Sequence, residues 1–468
     1  MHILVCVKQS NGEINPFDAS ALETALRIKD RRGAKVTLIS MGRPDVAAML
    51  TDLGRRGADR AILLTDPCFA GADTLATAYT LAQAARRLNP DLIICGRQSI
   101  DGDTAQTGPC LAATLGWPQI ISALDINAAD SHVICPTRTG QETAPLPVLV
   151  TVECRNPLRF IRLRARGVAV ESWDAAAIGA DPARCGLAGS PTKVLRTYES
   201  DAGRRNCRFI RPDELAGVIS QVTCRARQPY DEQILPGGQR LREVWAVGED
   251  LVPIAGPLAE NLTVIPPQDP AAITELARRH QPDAILWKAD AWGRSIAPRV
   301  AALLQTGLCA DCTGLETDGE RLYMLRPSYG GSIMVRIECR TRPQMATVRT
   351  PDCVQNDIIV AGGRGARHCF GLVERLAERI GVLGASRSAV DLGLAPYEAQ
   401  IGLTGRFVSP MLYLACGISG AVQHTCAIER AGTVIAINTD PEARIFTHAD
   451  YGIVGDVAVT LENYFQKL

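Results

Sequence analysis

The chain has 468 residues, 46% of them apolar and 21% charged, a composition that builds large buried cores and fits roughly three domains at ~150 residues each. Fifty basic and fifty acidic residues cancel, so no global field draws the chain to nucleic acid or an anionic membrane. No apolar run approaches the ~20 residues of a membrane span. Met1–Lys8 reads as a strand rather than a secretory leader, so a cytoplasmic, not membrane-embedded, protein is expected.

From the amino end, Ile3–Val7, Val36–Ser40, Ala61–Leu64 and Leu92–Cys95 are short continuous apolar runs, the pattern of parallel strands buried on both faces. Between the first two, Ala21–Lys29 has helical spacing and stops at Gly33. Asp73 is placed to cap a helix running to Leu88, before Asn89-Pro90. The alternation predicts an open α/β sheet, whose ligands bind beyond the carboxyl ends of the strands.

The loop Gly96–Gly108 follows one such strand and precedes a helix. Its backbone N–H groups suit a phosphate, with glycine at position 108 leaving room for close approach; a solvated turn is the alternative reading. An echo follows about 190 positions later. Arg86-Arg87-Leu88-Asn89-Pro90-Asp91-Leu92-Ile93-Ile94 is matched by Arg278-Arg279-His280-Gln281-Pro282-Asp283-Ala284-Ile285-Leu286. Two related α/β units are therefore expected, packed as two domains. The shorter second loop, Lys288–Ser295, assigns nucleotide binding to the first unit and a structural role to the second.

Sixteen cysteines are scattered, several of them (Cys6, Cys95, Cys416) inside apolar strands, as small apolar residues in a reducing compartment. Cys309-Ala310-Asp311-Cys312 lacks a second pair or a histidine at metal spacing, so no metal is expected. Pro236-Gly237-Gly238 reads as part of a linker.

Near the carboxyl end, the apolar strand Leu412–Cys416 feeds Gly417-Ile418-Ser419-Gly420, which opens a helix carrying His424. Val434–Ile437 follows, then Asn438-Thr439-Asp440-Pro441 and Ala449-Asp450-Tyr451-Gly452. Strand, glycine-rich turn and helix suit a pyrophosphate, although glycine in such a turn also serves packing alone. With Gly402-Leu403-Thr404-Gly405 upstream, the ordered set resembles the FAD-binding domain of the electron-transfer flavoprotein alpha subunit.

That resemblance extends along the chain. Asn15-Pro16-Phe17-Asp18, the Gly96–Gly108 loop, Gly116-Trp117-Pro118-Gln119 and the Gly186–Val194 arm resemble the beta subunit. Gly307–Thr313, Arg326-Pro327-Ser328-Tyr329-Gly330-Gly331 and Arg342–Arg349 resemble the alpha subunit. The implied fold is α/β, with two related open parallel-sheet nucleotide-binding-type domains and a carboxyl-terminal doubly wound FAD-binding domain. The implied boundaries are 1–200 (beta-like, with a carboxyl-terminal arm), 201–240 (linker), 241–349 (alpha-like) and 350–468 (FAD-binding).

The resemblance implies FAD contacts at Arg364, Ser386, Arg387, Thr404, Gly405, Gly417, Ser419, Gly420, His424, Asn438, Asp440 and Asp450. His424 would donate to the N1–C2=O2 edge of the flavin, Arg387 would raise its potential, and Thr404 would meet N5. A second site, holding AMP or a second FAD, falls on Cys6, Asp66, Asp103, Thr104, Ala105, Gln106 and Thr107. The form Asp101–Pro109 is similar to the electron-bifurcating branch, which oxidises NADH at the second flavin. Leu403, Pro67-Cys68 and Ser332 depart from the family pattern.

The function implied is an FAD-dependent electron carrier, serving acyl-CoA dehydrogenases or other flavin dehydrogenases, with ferredoxin or a quinone reductase as further partners. Two other classes are an NAD-dependent dehydrogenase with its own substrate and a nucleotide-binding sensor without redox turnover. Against the dehydrogenase, no Gly-x-Gly-x-x-Gly follows the first strand and no acid–base pair for a substrate stands out.

Overall fold

A computed structural model describes the chain except residues 11, 138–139, 162–164, 166, 200–204, 224–238, 329–332, 351–357, 403–404, 407, 430 and 467–468. It divides into two compact units. One comprises Met1–Thr197, Gln233–Tyr329 and Val335–Arg349, the other Tyr198–Glu232, Gly330–Met334 and Thr350–Leu468.

The first unit holds two parallel sheets of matching order. In one, Val170–Trp173, Arg60–Leu64, Lys35–Met41, His2–Cys6, Leu92–Gly96, Val148–Val152 and Gln119–Ala123 lie side by side. In the other the order is Ala259–Ile265, Leu241–Val247, Ala284–Lys288, Gln344–Val348 and Leu308–Cys312. The repeated Asn/Gln-Pro-Asp segments lead into the equivalent strands Leu92–Gly96 and Ala284–Lys288. Before each, the helix ends on a left-handed residue, Asn89 (φ 47°) and Gln281 (φ 49°).

The echo is also visible in a shared irregularity. Each sheet shifts register once, between Val150 and Val152 in one and between Cys309 and Cys312 in the other. Ser122 and Asp311 both take φ 55° at these bulges. Their N–H groups donate to Thr151 Oγ1 (2.9 Å) and Thr347 Oγ1 (2.8 Å). Cys309 and Cys312 thus flank a β-bulge that recurs without cysteine in the other half. Buried Asp311 is held ionised there by Arg294, Arg349 and Arg326, against the opposing effect of its burial.

Expected as separate domains, the two halves fall within this one unit. Helices Thr107–Leu115 and Ala291–Leu304 join them, Cys110 donating to the Pro298 carbonyl at 3.3 Å.

In the second unit six parallel strands run in the order Arg208–Phe209, Tyr451–Val454, Thr433–Asn438, Leu412–Cys416, Ile358–Gly362 and Val382–Ala385. After Ile358–Gly362 the chain moves outward to Val382–Ala385, then returns to pair Leu412–Cys416 on the opposite side. That reversal is the switch point at which α/β sheets bind dinucleotides.

Part of the segment read as a linker belongs to this unit. Arg208–Phe209 pairs with Tyr451–Gly452, and helix Leu215–Thr223 buries Leu215, Ile219 and Val222 in the core. The apolar spacing of those three residues is amphipathic and needs a partner surface. The Pro236–Gly238 stretch lies outside the described residues.

Candidate functional site

At the carboxyl edge of the second unit, two glycine-rich turns press backbone on backbone. The Gly363 N–H donates to the Cys416 carbonyl (2.8 Å) and the Gly365 N–H to the Gly417 carbonyl (3.0 Å). A Cβ on Gly363 would lie 2.3 Å from Gly417 O, and one on Gly420 (φ 84°) 2.1 Å from Ile445 N. Only glycine closes this cradle. Asn438 braces it, its Nδ2 donating to the Ile418 carbonyl (2.9 Å) while Oδ1 accepts from Asp440 N (3.0 Å).

Ser386 follows the Val382–Ala385 strand and accepts from Ala389 N (3.3 Å), capping the short helix that Arg387 opens. Arg387 is half-buried and pairs with Asp391 at 3.4 Å. Gly402 and Gly405 lie beyond the same strand, the Ile401 N–H bonding the Ala385 carbonyl, and the Gly405 N–H returning to Gly402 O. Arg364, Ser386, Arg387, Gly405, Gly417, Ser419, Gly420, Asn438 and Asp440 thus follow the carboxyl ends of strands of one sheet or the loops beyond them. This cradle and its donor set fit a dinucleotide. Thr404 and Leu403 lie outside the described residues.

Three placements differ from expectation. The helix after Gly420 is a single turn, Val422–Thr425, because Ala427 and Ile428 turn back into the core. Its dipole therefore adds little, and the anion-binding N–H groups would be those of the turns. Asp450 sits at the opposite, amino edge, where it accepts from Val434 N (2.8 Å) and pairs with Arg205. Ala449-Asp450 precedes its strand, so Asp450 fastens the sheet. Asp456, beyond the carboxyl end of the same strand, is the carboxylate on the cradle's edge; it caps helix Val457–Gln466 through Ala458 N (2.8 Å) and stands 3.2 Å from His368. Strand polarity is the signal that distinguishes the two.

His424 is the third. It is buried, its Nε2 lies 2.8 Å from Tyr413 Oη, and its Nδ1 has no partner among the described residues. Burial lowers its pKa to about 4, so the imidazole is neutral at physiological pH. As placed, the ring reaches inward to Tyr413, a residue indistinguishable by sequence from its apolar neighbours.

The first unit contains a cavity of about 410 Å³ at the carboxyl ends of His2–Cys6 and Leu92–Gly96. Cys6, Thr104, Ala105, Gln106 and Thr107 line it. Asp103 adjoins them, its carboxylate accepting from Gln98 Nε2 at 3.1 Å. Asp103 (φ 51°) and Ala105 (φ 54°) are both left-handed, so the loop is held in a strained form. Asn15 pins it, donating to the Gln98 carbonyl at 2.8 Å.

Asp66 lies apart, its carboxylate occupied by Cys68 N (2.9 Å) and Ala175 N (3.0 Å), which hold its pKa down. Gly108 is likewise not a lining residue. A Cβ there would meet Thr151 Cγ2 at 2.5 Å, so its glycine serves helix–strand packing rather than phosphate approach.

The alpha-like half, expected to be structural, completes this wall with Leu308, Cys309, Ala310 and Arg326. Arg326 is 5% exposed, and its Nε and Nη2 have no partner among the described residues; Gln106 Nε2 is also buried and unpaired. Unmet buried donors, one of them cationic, suit an anionic ligand. Asp18 under the loop accepts from Lys8 N (2.9 Å) and Gly96 N (3.1 Å), and its burial raises its pKa to about 7.

Among the described residues no cluster of three or more His, Cys, Asp or Glu could hold a metal, and no helix is long and apolar enough to cross a membrane.

Comparison with known proteins accords with this geometry. Residues 3–178 and 266–361 match the electron transfer flavoprotein domain, and residues 352–429 match the electron transfer flavoprotein FAD-binding domain. The electron transfer flavoprotein subunit alpha of Thermoanaerobacterium thermosaccharolyticum is 39% identical over 304 residues, covering 53% of this chain and 92% of that protein. The subunit beta of Megasphaera elsdenii is 41% identical over 272 residues, covering 50% of this chain and 97% of that protein. Protein FixA of Azorhizobium caulinodans is 37% identical over 273 residues, covering 50% and 97%. The chain belongs to the electron transfer flavoprotein family, with beta-like and alpha-like parts joined in one polypeptide.

Proposed function

We propose that this chain carries electrons between flavin dehydrogenases and an acceptor on one FAD held by the carboxyl-terminal unit, and that the first unit's cavity holds a second adenine nucleotide, as AMP or as a second FAD. FAD, when bound, supplies the redox chemistry. The chain's own residues grip its pyrophosphate through the paired glycine turns and set the charge around the ring through Arg387. The observation that carries the reading is the cradle at the sheet's switch point, which a side chain at Gly363 or Gly420 would force apart. For the second nucleotide the support is the unmet donors of Arg326 and Gln106.

Donors of the acyl-CoA dehydrogenase kind and acceptors such as ferredoxin or a quinone reductase fit this carrier reading. Anaerobic titration of the FAD-loaded chain tests this. Reduction by a reduced acyl-CoA dehydrogenase-type flavoenzyme is expected. Reduction by NADH alone would assign a second flavin and the bifurcating role to the first cavity. No reduction by any flavoprotein donor or NADH would remove the carrier reading.

A further inference from the structure

His424 has two ring nitrogens and, being neutral, one ring proton; which nitrogen bears it decides what the ring can donate to. Tyr413 lies in the Leu412–Cys416 strand between Ile359 and Val434 of the neighbouring strands, and is fully buried. Its hydroxyl meets Nε2 at 2.8 Å, with ring centroids 6.1 Å apart and planes inclined by 56°. We propose that Tyr413 is a positioning residue for His424: its hydroxyl donates to Nε2 and so keeps the imidazole proton on Nδ1.

Two arrangements satisfy the short contact. If Nε2 carried the proton, the Tyr413 hydroxyl would accept it, and its own proton would be buried with no acceptor among the described residues. If Nε2 accepts, the phenolic proton is satisfied and Nδ1 becomes the ring's donor. The Ile401 backbone raises the ring's affinity for a proton, but Nδ1 forms no hydrogen bond among the described residues; the choice therefore rests on the Tyr413 hydroxyl, whose proton finds an acceptor only when Nε2 is unprotonated.

Burial keeps both partners uncharged. It pushes the phenol well above its usual range and the imidazole well below, so the pair is a fixed dipole near neutral pH. His424 sits four residues past the glycine cradle, and Gly402 of the adjoining loop would touch its Cα if it carried a Cβ (3.7 Å). A donor of fixed position in this unit biases the reduction equilibrium of the FAD bound there, independently of pH. This consequence rests on FAD binding by the unit; the position of the proton does not.

The test is ¹⁵N NMR of the full chain labelled at histidine, with the His424→Gln spectrum assigning one of the six histidines. A pyrrole-type Nδ1 and a pyridine-type Nε2, constant between about pH 5.5 and 8, are expected. Tyr413→Phe should mix the two tautomers, retain FAD and shift its one-electron equilibrium by up to about tenfold, or 59 mV. A pyrrole-type Nε2 in the unsubstituted chain overturns the proposal. So does a Phe variant that is less stable but has unchanged nitrogen shifts. Should that variant fail to fold, the unsubstituted spectrum alone decides.

Discussion

Replacing His424 by Gln should flatten the acid limb of the carboxyl-terminal unit's stability. Burial lowers the folded-state pKa of His424 from 6.5 to about 4. Between those values the unfolded chain binds a proton that the folded chain does not, so unfolding free energy rises with pH. At ~1.36 kcal/mol per unit, this one group contributes about 3 kcal/mol of stability that is complete above pH ~6.5 and lost as the pH falls toward 4. Gln can still accept from Tyr413 but does not titrate. Urea denaturation at pH intervals from 4 to 7.5, followed by an optical probe in that unit, should show the two curves converging as the pH falls. The difference between the proteins isolates His424 from the carboxylates common to both. Parallel curves across the whole range would refute a buried neutral imidazole.

Asp18 carries the opposite sign. Its folded pKa is raised from 3.8 to about 7, so the folded form holds the extra proton and stability falls by about 4 kcal/mol across that window; Asp18→Asn should remove this slope in denaturation curves of the first unit. Arg387→Ala should keep FAD and lower its first reduction potential by roughly 40–130 mV. Asp391 at 3.4 Å pulls the expected value toward the smaller figure, and an unchanged potential in an FAD-replete variant would leave Arg387 a packing role. Arg326→Gln should weaken AMP binding by about tenfold or more in equilibrium dialysis, one charged hydrogen bond in a buried site, without loss of the carboxyl-terminal FAD; equal loss of both would mean that the sites are not separate.

The strands beginning at His2, Lys35, Arg60, Leu92, Leu412 and Thr433 were legible, because buried parallel strands are written as continuous apolar runs, and the repeated Asn/Gln-Pro-Asp segments announce the duplication. Half of the glycine cradle was legible: Gly417 and Gly420 stand where another backbone approaches too closely for a side chain, whereas the facing Gly363 emerged only from the structure. Other features required the third dimension. Asp450 and Asp456 flank one strand, and only its direction shows which lies on the binding edge. Arg326 reaches a cavity whose recognisable loop is more than 200 positions away, on the other half of the duplication. Gly108 reads as a phosphate-loop glycine, yet the space beside it is filled by Thr151. The helix Leu215–Thr223 was hidden in a polar stretch, although its three buried residues already had helical spacing.

The most direct measurement of the account is the cofactor content of the purified chain. Acid extraction, with flavin and adenine quantified separately, should give one FAD per chain for the carboxyl-terminal unit and one further adenine nucleotide, AMP or a second FAD, for the first cavity. A chain that folds, contains no flavin and takes up none when FAD is supplied would contradict the central claim.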